Sequence, residues 1–414
     1  MRFLLFSFAA LAAALPYTTE DCYGEATNET TKYGAAHYNL YVATYAGWVS
    51  SQRFPAMTTQ GMNLTSNITA CGVSPSWLAV DNDNSIIYCV DENQPSANSS
   101  SLNALQKKYD GSIVAHSSVK LPFAAPVHAT PFGYPKTFHL ALAHYTGYVS
   151  VVTPGGPAAN NLSLYQSFNL TGGPHGPNPA RQADGPHPHQ TLLDPTGQYI
   201  IVPDLGADLL RLFYWNKNAT TVKLQELSTT PVFPAGGGPR HGRFWMPPGW
   251  KTGDDVYLFL ASELSSAITT FRIGYPHGVG LTIQQLSTIT DMGNTPIPSN
   301  TTYASEIKTS HDGKFLLVSY RGDQSFNTTT GPSDSIATWK IGAKGALEFV
   351  QLAPVGGSYP RSFSITGDDK YVAVGLQKSG KVVVLERDTV TGKLGQQKAS
   401  MDGYGEVSCV TWDA

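Results

Sequence analysis

The sequence predicts an all-β protein, a seven-bladed β-propeller closed by pairing of its N- and C-terminal strands. Three observations lead there: a charge-poor, turn-rich composition, a strand-turn-strand unit that recurs seven times, and no long helical periodicity. Charged residues are 14% of the 414, against about 25% in an average soluble domain, while hydrophobic residues are 41%. Disordered chains, coiled coils and helical bundles need more charge, so a strand-rich globule with an ample core and many turns (40 Gly, 28 Pro) remains. The net charge of −3 comes without a basic run or stripe, which argues against nucleic-acid and membrane partners.

The repeat is clearest in 191–215 (TLLDPTGQYIIVPDLGADLLRLFYW), 306–325 and 362–388. Each has a short strand, a tight Gly/Asp turn, a second apolar strand, a polar turn and a third alternating strand. Weaker copies lie at 76–92, 138–152 and 241–271, and a further one at 39–51. Units of three or four short strands, roughly fifty residues apart, cannot bury both faces alone and stack radially as blades. An open pair of sandwiches is the alternative. Closure calls for the terminal strand at 407–412 (VSCVTW) to complete the blade begun by the N-terminal segment. The Pro/Gly-rich stretches 172–188 and 234–240 fall just before strands of the repeat, so they are expected to cross one face of the ring. The expectation is one propeller domain over 16–414, acting as a monomer.

Residues 1–15 (MRFLLFSFAALAAAL) have one positive charge, an apolar run and a small-residue end, the layout of a secretory signal peptide. The run is shorter than the roughly 20 residues that span a bilayer. Nine Asn-X-Ser/Thr sequons, at Asn28, Asn63, Asn67, Asn98, Asn161, Asn169, Asn218, Asn300 and Asn327, agree with an extracellular glycoprotein carrying N-linked glycans on surface loops. Four cysteines in an oxidising compartment allow three pairings. Cys71–Cys89 would close a local loop, and Cys22–Cys409 would tie the two chain ends together. No CxxC or Cys/His spacing points to a metal, and no cofactor is expected.

In a propeller, polar residues at the ends of the inner strands converge from different blades. Counting back nine residues from Gln198, Lys314 and Lys370, each just before a second strand, gives His189, Ser305 and Arg361, with Arg240-His241 at a comparable place. Counting forward, second strands end in Glu92, Asp204, Glu263, Arg321 and Gln377. Structural turns would repeat Asp, Asn or Gly there, so varied polar groups at equivalent offsets point to a shared pocket. Asp204 and Asp208 of PDLGAD have the short side chains that satisfy turn amides.

The segments HPHQTLLDPTGQYIIVPDLGADLLRLFYW (187–215), GGGPRHGRFW (236–245), ASELSSAITTF (261–271), ASEIKTSHDGKFLLVSYRGDQS (304–325) and 359–394 resemble the seven-bladed propeller lactonases. That family includes propeller-type 6-phosphogluconolactonases and fungal carboxy-cis,cis-muconate cyclases. The likeness is dense over 187–394 and looser before it. It implies the fold, a lactone-related reaction and a metal-independent site. It also implies catalytic positions at His189, Arg240, Glu263 and Arg321, while His187, Asp204, His241, Glu306 and Arg361 match other motif positions. His187, His241, Glu306 and Arg361, together with Glu92 of the early unit, are then the candidates for substrate binding. The late motif departs from relatives that read Pro-Arg-His-Phe: here it is Pro360-Arg361-Ser362-Phe363, so one imidazole is missing.

Lactone hydrolysis needs water deprotonated near neutral pH, which suits His189, and a fixed guanidinium for the oxyanion, which suits Arg240 and Arg321. Glu263 has three roles open to it: orienting an arginine, orienting His189, or protonating the leaving alkoxide. The expected function is a secreted aldonolactone hydrolase acting on glucono- or cellobiono-type 1,5-lactones. The alternatives are a non-catalytic propeller that binds glycan or cell wall, and a carboxymuconate cycloisomerase.

Overall fold

The computed structural model describes residues 37–413 apart from 56–60, 94–98, 134–137, 157, 220, 294, 299–300 and 330. The leader-like segment, Cys22 and the sequons at Asn28, Asn98 and Asn300 lie outside the described residues.

Turn chemistry cuts the chain into short strands. Asp194 accepts hydrogen bonds from the amides of Thr196, Gln198 and Tyr199, and Gly197 closes that turn at φ 70°. Gly313 (φ 68°) and Asp369 (φ 62°) occupy the same place in two later copies, where the left-handed conformation suits glycine or a short Asp.

The strands form seven four-stranded antiparallel blades. From the inner strand outward, blade 2 is Pro75–Asp81, Ile86–Asp91, Ser100–Lys107 and Ile113–Leu121, and blade 3 is Pro126–Phe132, His139–His144, Tyr148–Thr153 and Ser163–Asn169. Blade 4 is Leu192–Leu193, Tyr199–Asp204, Leu209–Tyr214 and Gln225–Pro231; blade 5 is Pro239–Trp245, Val256–Ser262, Ile268–Gly274 and Thr282–Ile289. Blade 6 is Tyr303–Thr309, Phe315–Arg321, Ser335–Ile341 and Leu347–Pro354, and blade 7 is Pro360–Ile365, Tyr371–Leu376, Lys381–Arg387 and Leu394–Asp402. Blade 6 also carries an extra hairpin, Phe326–Thr328 with Gly331–Ser333, that the repeat did not anticipate.

Blade 1 closes the ring. Its inner strand is the C-terminal Val407–Trp412, and the N-terminal Tyr38–Thr44, Trp48–Phe54 and Asn63–Ile68 complete it. Leu40, Val42, Phe54 and Trp412 pack there against Ala373, Val382 and Val384 of blade 7, so buried hydrocarbon seals the seam. The Cys71–Cys89 disulfide is formed. Cys409 is buried on the closing strand, and the expected Cys22–Cys409 pairing falls outside the described residues.

One irregularity repeats around the ring and sets the site. Near its start, every inner strand slips register against its neighbour by one residue. The pairs Pro75↔Asp91 then Trp77↔Val90 leave Ser76 over, and the same step leaves Val127, Arg240 and Arg361 over in blades 3, 5 and 7. Blade 1 leaves Ser408 over, and blade 6 leaves one residue of Ser305-Glu306. In blade 4 the bridge Pro188↔Asp204 followed by Leu192↔Ile201 gives the same one-residue excess at His189 to Thr191. A bulge puts two residues opposite one and re-aims a side chain out of the pleat. His189 and Arg361, reached by counting from the turns, and Arg240, noted at a comparable place, all belong to these bulges.

Candidate active site

A cleft of about 450 Å³ opens at the mouth of the ring where the bulges sit. Its walls include His189, Glu263, Arg321, Arg361 and Glu92, drawn from blades 4, 5, 6, 7 and 2. Residues that close second strands line it as well: Gln377 in blade 7, and Tyr45 and Tyr145 in blades 1 and 3. Of the five polar strand ends noted in the sequence, only Asp204 is absent from the wall. It accepts from the amides of His187 and Ala207 and pairs with Arg211 Nε at 2.7 Å, holding the turn together.

Glu263 is the electrostatic centre. Arg181 Nη1 lies 2.8 Å from its Oε1, while Arg240 Nε and Arg321 Nη2 each lie 2.9 Å from its Oε2. Burial works to raise its pKa, yet Arg321, Arg240 and Arg181 hold the carboxyl well below the usual carboxylate range. A carboxylate so compensated stays ionised.

Arg240 sits beneath the cleft and not in its wall. It is 1% exposed, and its second bond runs from Nη1 to the Ser305 carbonyl at 2.7 Å. Burial, then the charge of Arg321, pushes its pKa down to about 9, so it remains a cation at neutral pH. Expected as an oxyanion donor, it lies instead where Nε and Nη1 are engaged by Glu263 and the Ser305 carbonyl, a geometry that braces Glu263. Arg321 differs. It lines the cleft, 6.0 Å from the rings of both Tyr303 and Tyr359, and is held there by its Nη2 contact with Glu263.

Arg181 escaped the sequence reading. The Pro/Gly-rich segment 172–188 carries it to the mouth, where it also donates to Tyr145 Oη at 3.0 Å. Buried Gln182 pins that segment through Leu205 O (2.7 Å) and Asp208 Oδ1 (2.9 Å). Asp208 also accepts from the amides of Gly236 and Gly238, so one carboxylate joins both Gly-rich stretches.

His189 lines the cleft yet is 4% exposed. Burial, then Arg240 and His241, holds its pKa well below the usual imidazole range, so it is neutral at neutral pH. Its Nδ1 is sealed without a partner, which leaves Nε2 as the nitrogen that can face the cleft. Across the cleft, Glu92 accepts from Tyr45 Oη at 2.6 Å, and the Arg361 guanidinium lies 5.3 Å over the Tyr45 ring. Burial pushes the Glu92 pKa up; Arg361 and the Tyr45 bond oppose this without cancelling it.

Three candidates for substrate binding lie behind the cleft wall. His187 stacks on Tyr145 with centroids 4.2 Å apart, its Nε2 3.0 Å from Asp184 Oδ1, and so supports a cleft residue without joining the wall. His241, one residue past the blade 5 bulge, and Glu306 of the blade 6 bulge form a buried pair, Nδ1 to Oε1 at 3.2 Å. Ser362 of the late motif accepts from the Val410 amide at 3.3 Å. Among the described residues no group of three His, Cys, Asp or Glu is arranged to hold a metal ion.

The family model for seven-bladed β-propeller lactonases matches residues 39–412. A probable 6-phosphogluconolactonase of Arthroderma benhamiae is 29% identical over 82% of this chain and 80% of its own length. The 6-phosphogluconolactonase of Bacillus subtilis is 24% identical over 78% of this chain and 82% of its own. The solved periplasmic gluconolactonase of Pseudomonas aeruginosa superimposes with a TM-score of 0.73 at 24% identity, covering 91% of this chain and 99% of that one. With seven closed blades, polar groups gathered at one mouth and the family match spanning the whole ring, the chain belongs to the seven-bladed β-propeller lactonases.

Proposed function

We propose that this lactonase is secreted and hydrolyses unphosphorylated sugar 1,5-lactones of the glucono- or cellobiono- type to aldonic acids. The observation that carries the reading is one cleft bounded by a neutral imidazole, a guanidinium held by a buried carboxylate and a carboxyl whose pKa is raised. In this scheme His189 Nε2 takes a proton from water as its oxygen bonds to the lactone carbonyl carbon. The carbonyl oxygen gains the negative charge, which Arg321 stabilises in a site largely withdrawn from solvent. As the intermediate collapses, the C–O bond to the ring oxygen breaks and that oxygen receives a proton from Glu92. Glu263 is ill suited to be the acid, since three guanidiniums favour its ionised form. Orienting Arg321 and Arg181 is the role its contacts favour.

Charge balance supports a neutral substrate. The cations of the described wall are Arg181, Arg321 and Arg361, and Glu263 already takes the first two; with Glu92 protonated as the acid, Arg361 and Glu406 are the charges left to balance each other. A phosphomonoester dianion would need cations not already committed to carboxylates. Secretion is supported by the leader-like residues 1–15, the formed disulfide and the exposure of the described sequon residues Asn63, Asn67, Asn161, Asn169, Asn218 and Asn327. The test compares kcat/KM for glucono-1,5-lactone with that for its 6-phosphate. A clear preference for the phosphorylated lactone would contradict the proposal.

A further inference from the structure

The cleft has a floor of polar rings that the chemistry above does not use. Trp77, His128 and His241, one residue past the bulges of blades 2, 3 and 5, and Glu306 of the blade 6 bulge meet near the axis. Trp77 and His241, on opposite sides of the ring, have centroids 5.5 Å apart, and His128 lies 5.7 Å from His241. His241 in turn lies 5.0 Å from His189 at an interplanar angle of 69°.

The hydrogen bond to Glu306 fixes which nitrogen of His241 carries a proton. Glu306 can only accept as a carboxylate, so the His241 nitrogen facing it, Nδ1, is the donor. The lone pair of neutral His241 is then on Nε2, which is buried with no protein partner. His128 Nδ1 has the Thr191 amide at 3.4 Å as a donor and Thr191 Oγ1 at 3.3 Å, whose own proton goes to the Ala141 carbonyl, as an acceptor; its Nε2 is also buried without a partner. His189 Nδ1 is the third such atom. Buried nitrogens left unsatisfied are costly. A water donating to His241 Nε2 and accepting from His189 Nδ1 would satisfy both, and its second proton or second lone pair can serve His128 Nε2.

We propose that His241, held by Glu306, is the positioning residue for His189: through a bridging water it keeps the His189 proton on Nδ1 and the lone pair on Nε2, facing the cleft. The assignment rests on His189 acting as the base. Neutral imidazoles are what the surroundings favour. Burial leads in lowering all three, and Arg240 and Arg361 add to it at His189 and His241. Lys308 lowers His128 and His241 further, while Glu263 opposes the shift at His189 and His241 and Glu306 opposes it at His128.

The experiment has a kinetic arm and a spectroscopic one. His241→Leu should lower kcat about ten- to hundredfold with KM within twofold of wild type. It should also move the acid limb of kcat/KM to lower pH: His241 is itself held neutral, so its loss removes an acceptor for the His189 imidazolium and no repelling cation. His241→Gln, which restores an acceptor, should recover most of the rate. Glu306→Gln should cost less and add nothing in the His241→Leu background. Wild-type kcat and an unmoved acid limb in a folded His241→Leu protein would overturn the proposal. Histidine 15N spectra of the wild-type protein, with His189 assigned by its loss in His189→Ala, read the tautomer directly. Nδ1–H is expected and Nε2–H overturns it, whatever the variants do. A wild-type protein without lactonase activity would reject the catalytic reading, a result separate from the tautomer.

Discussion

Arg240 and Glu263 form a buried ion pair, Nε to Oε2 at 2.9 Å, with side chains 1% and 4% exposed. Removing one member of such a pair leaves the other charge uncompensated. Glu263→Gln would strand Arg181, Arg240 and Arg321 together, so we expect a stability loss of about 3 kcal/mol or more, read as a lower urea midpoint. Lactonase activity should fall with it, since Arg321 loses the carboxylate that orients it.

Arg181 contacts the same carboxylate from a different setting. Its side chain is 36% exposed and two other arginines remain on Glu263 when it is removed. Arg181→Met should therefore cost no more than about 1 kcal/mol. Its effect should fall on binding, with KM raised roughly tenfold and kcat changed less, as steady-state kinetics on a sugar lactone would measure.

Glu92 is expected to trade stability for function. In the folded protein burial raises its pKa, so the folded state holds the proton longer than the unfolded state. Stability then falls as pH rises from the ordinary carboxylate range through the raised value. Glu92→Gln should be more stable than wild type at neutral pH, with the gain vanishing in acid where both states are protonated. The same substitution should lower kcat about a hundredfold and remove the alkaline limb of the rate profile that proton donation by Glu92 creates.

The buried imidazoles give the opposite pH sign. His128, His189 and His241 are held neutral when folded, while the unfolded chain takes up protons as pH falls through the ordinary imidazole value of 6.5. Thermal midpoints should drop on acidification below that value. The acid limb of kcat/KM, if His189 is the base, should lie below 6.5 for the same reason.

Much of this was legible before any coordinates, and the reason is the repeat. Gly and Asp turns mark where second strands begin, and a fixed count from them reaches the bulge residues His189 and Arg361. The rule that a second strand ends at the mouth found Glu92, Glu263, Arg321 and Gln377. Carried into the weaker blades 1 and 3, it would also have found Tyr45 and Tyr145, the residues next after Thr44 and His144. Arg181 had no such signal. It sits in an irregular segment held by long-range bonds from Gln182 and Asp208, which no local period encodes. Depth below the mouth was equally hidden. Adjacent residues at a bulge point to different layers, so Arg240 braces Glu263 while His241 faces the axis, and spacing alone gives both the same address.

The most direct measurement is pH-stat hydrolysis of glucono-1,5-lactone by the wild-type protein and by His189→Ala. The account predicts acceleration over the spontaneous rate by the wild type, and a loss of about a hundredfold or more in a variant that remains folded. No acceleration by the wild type, or equal rates for the two proteins, would contradict it.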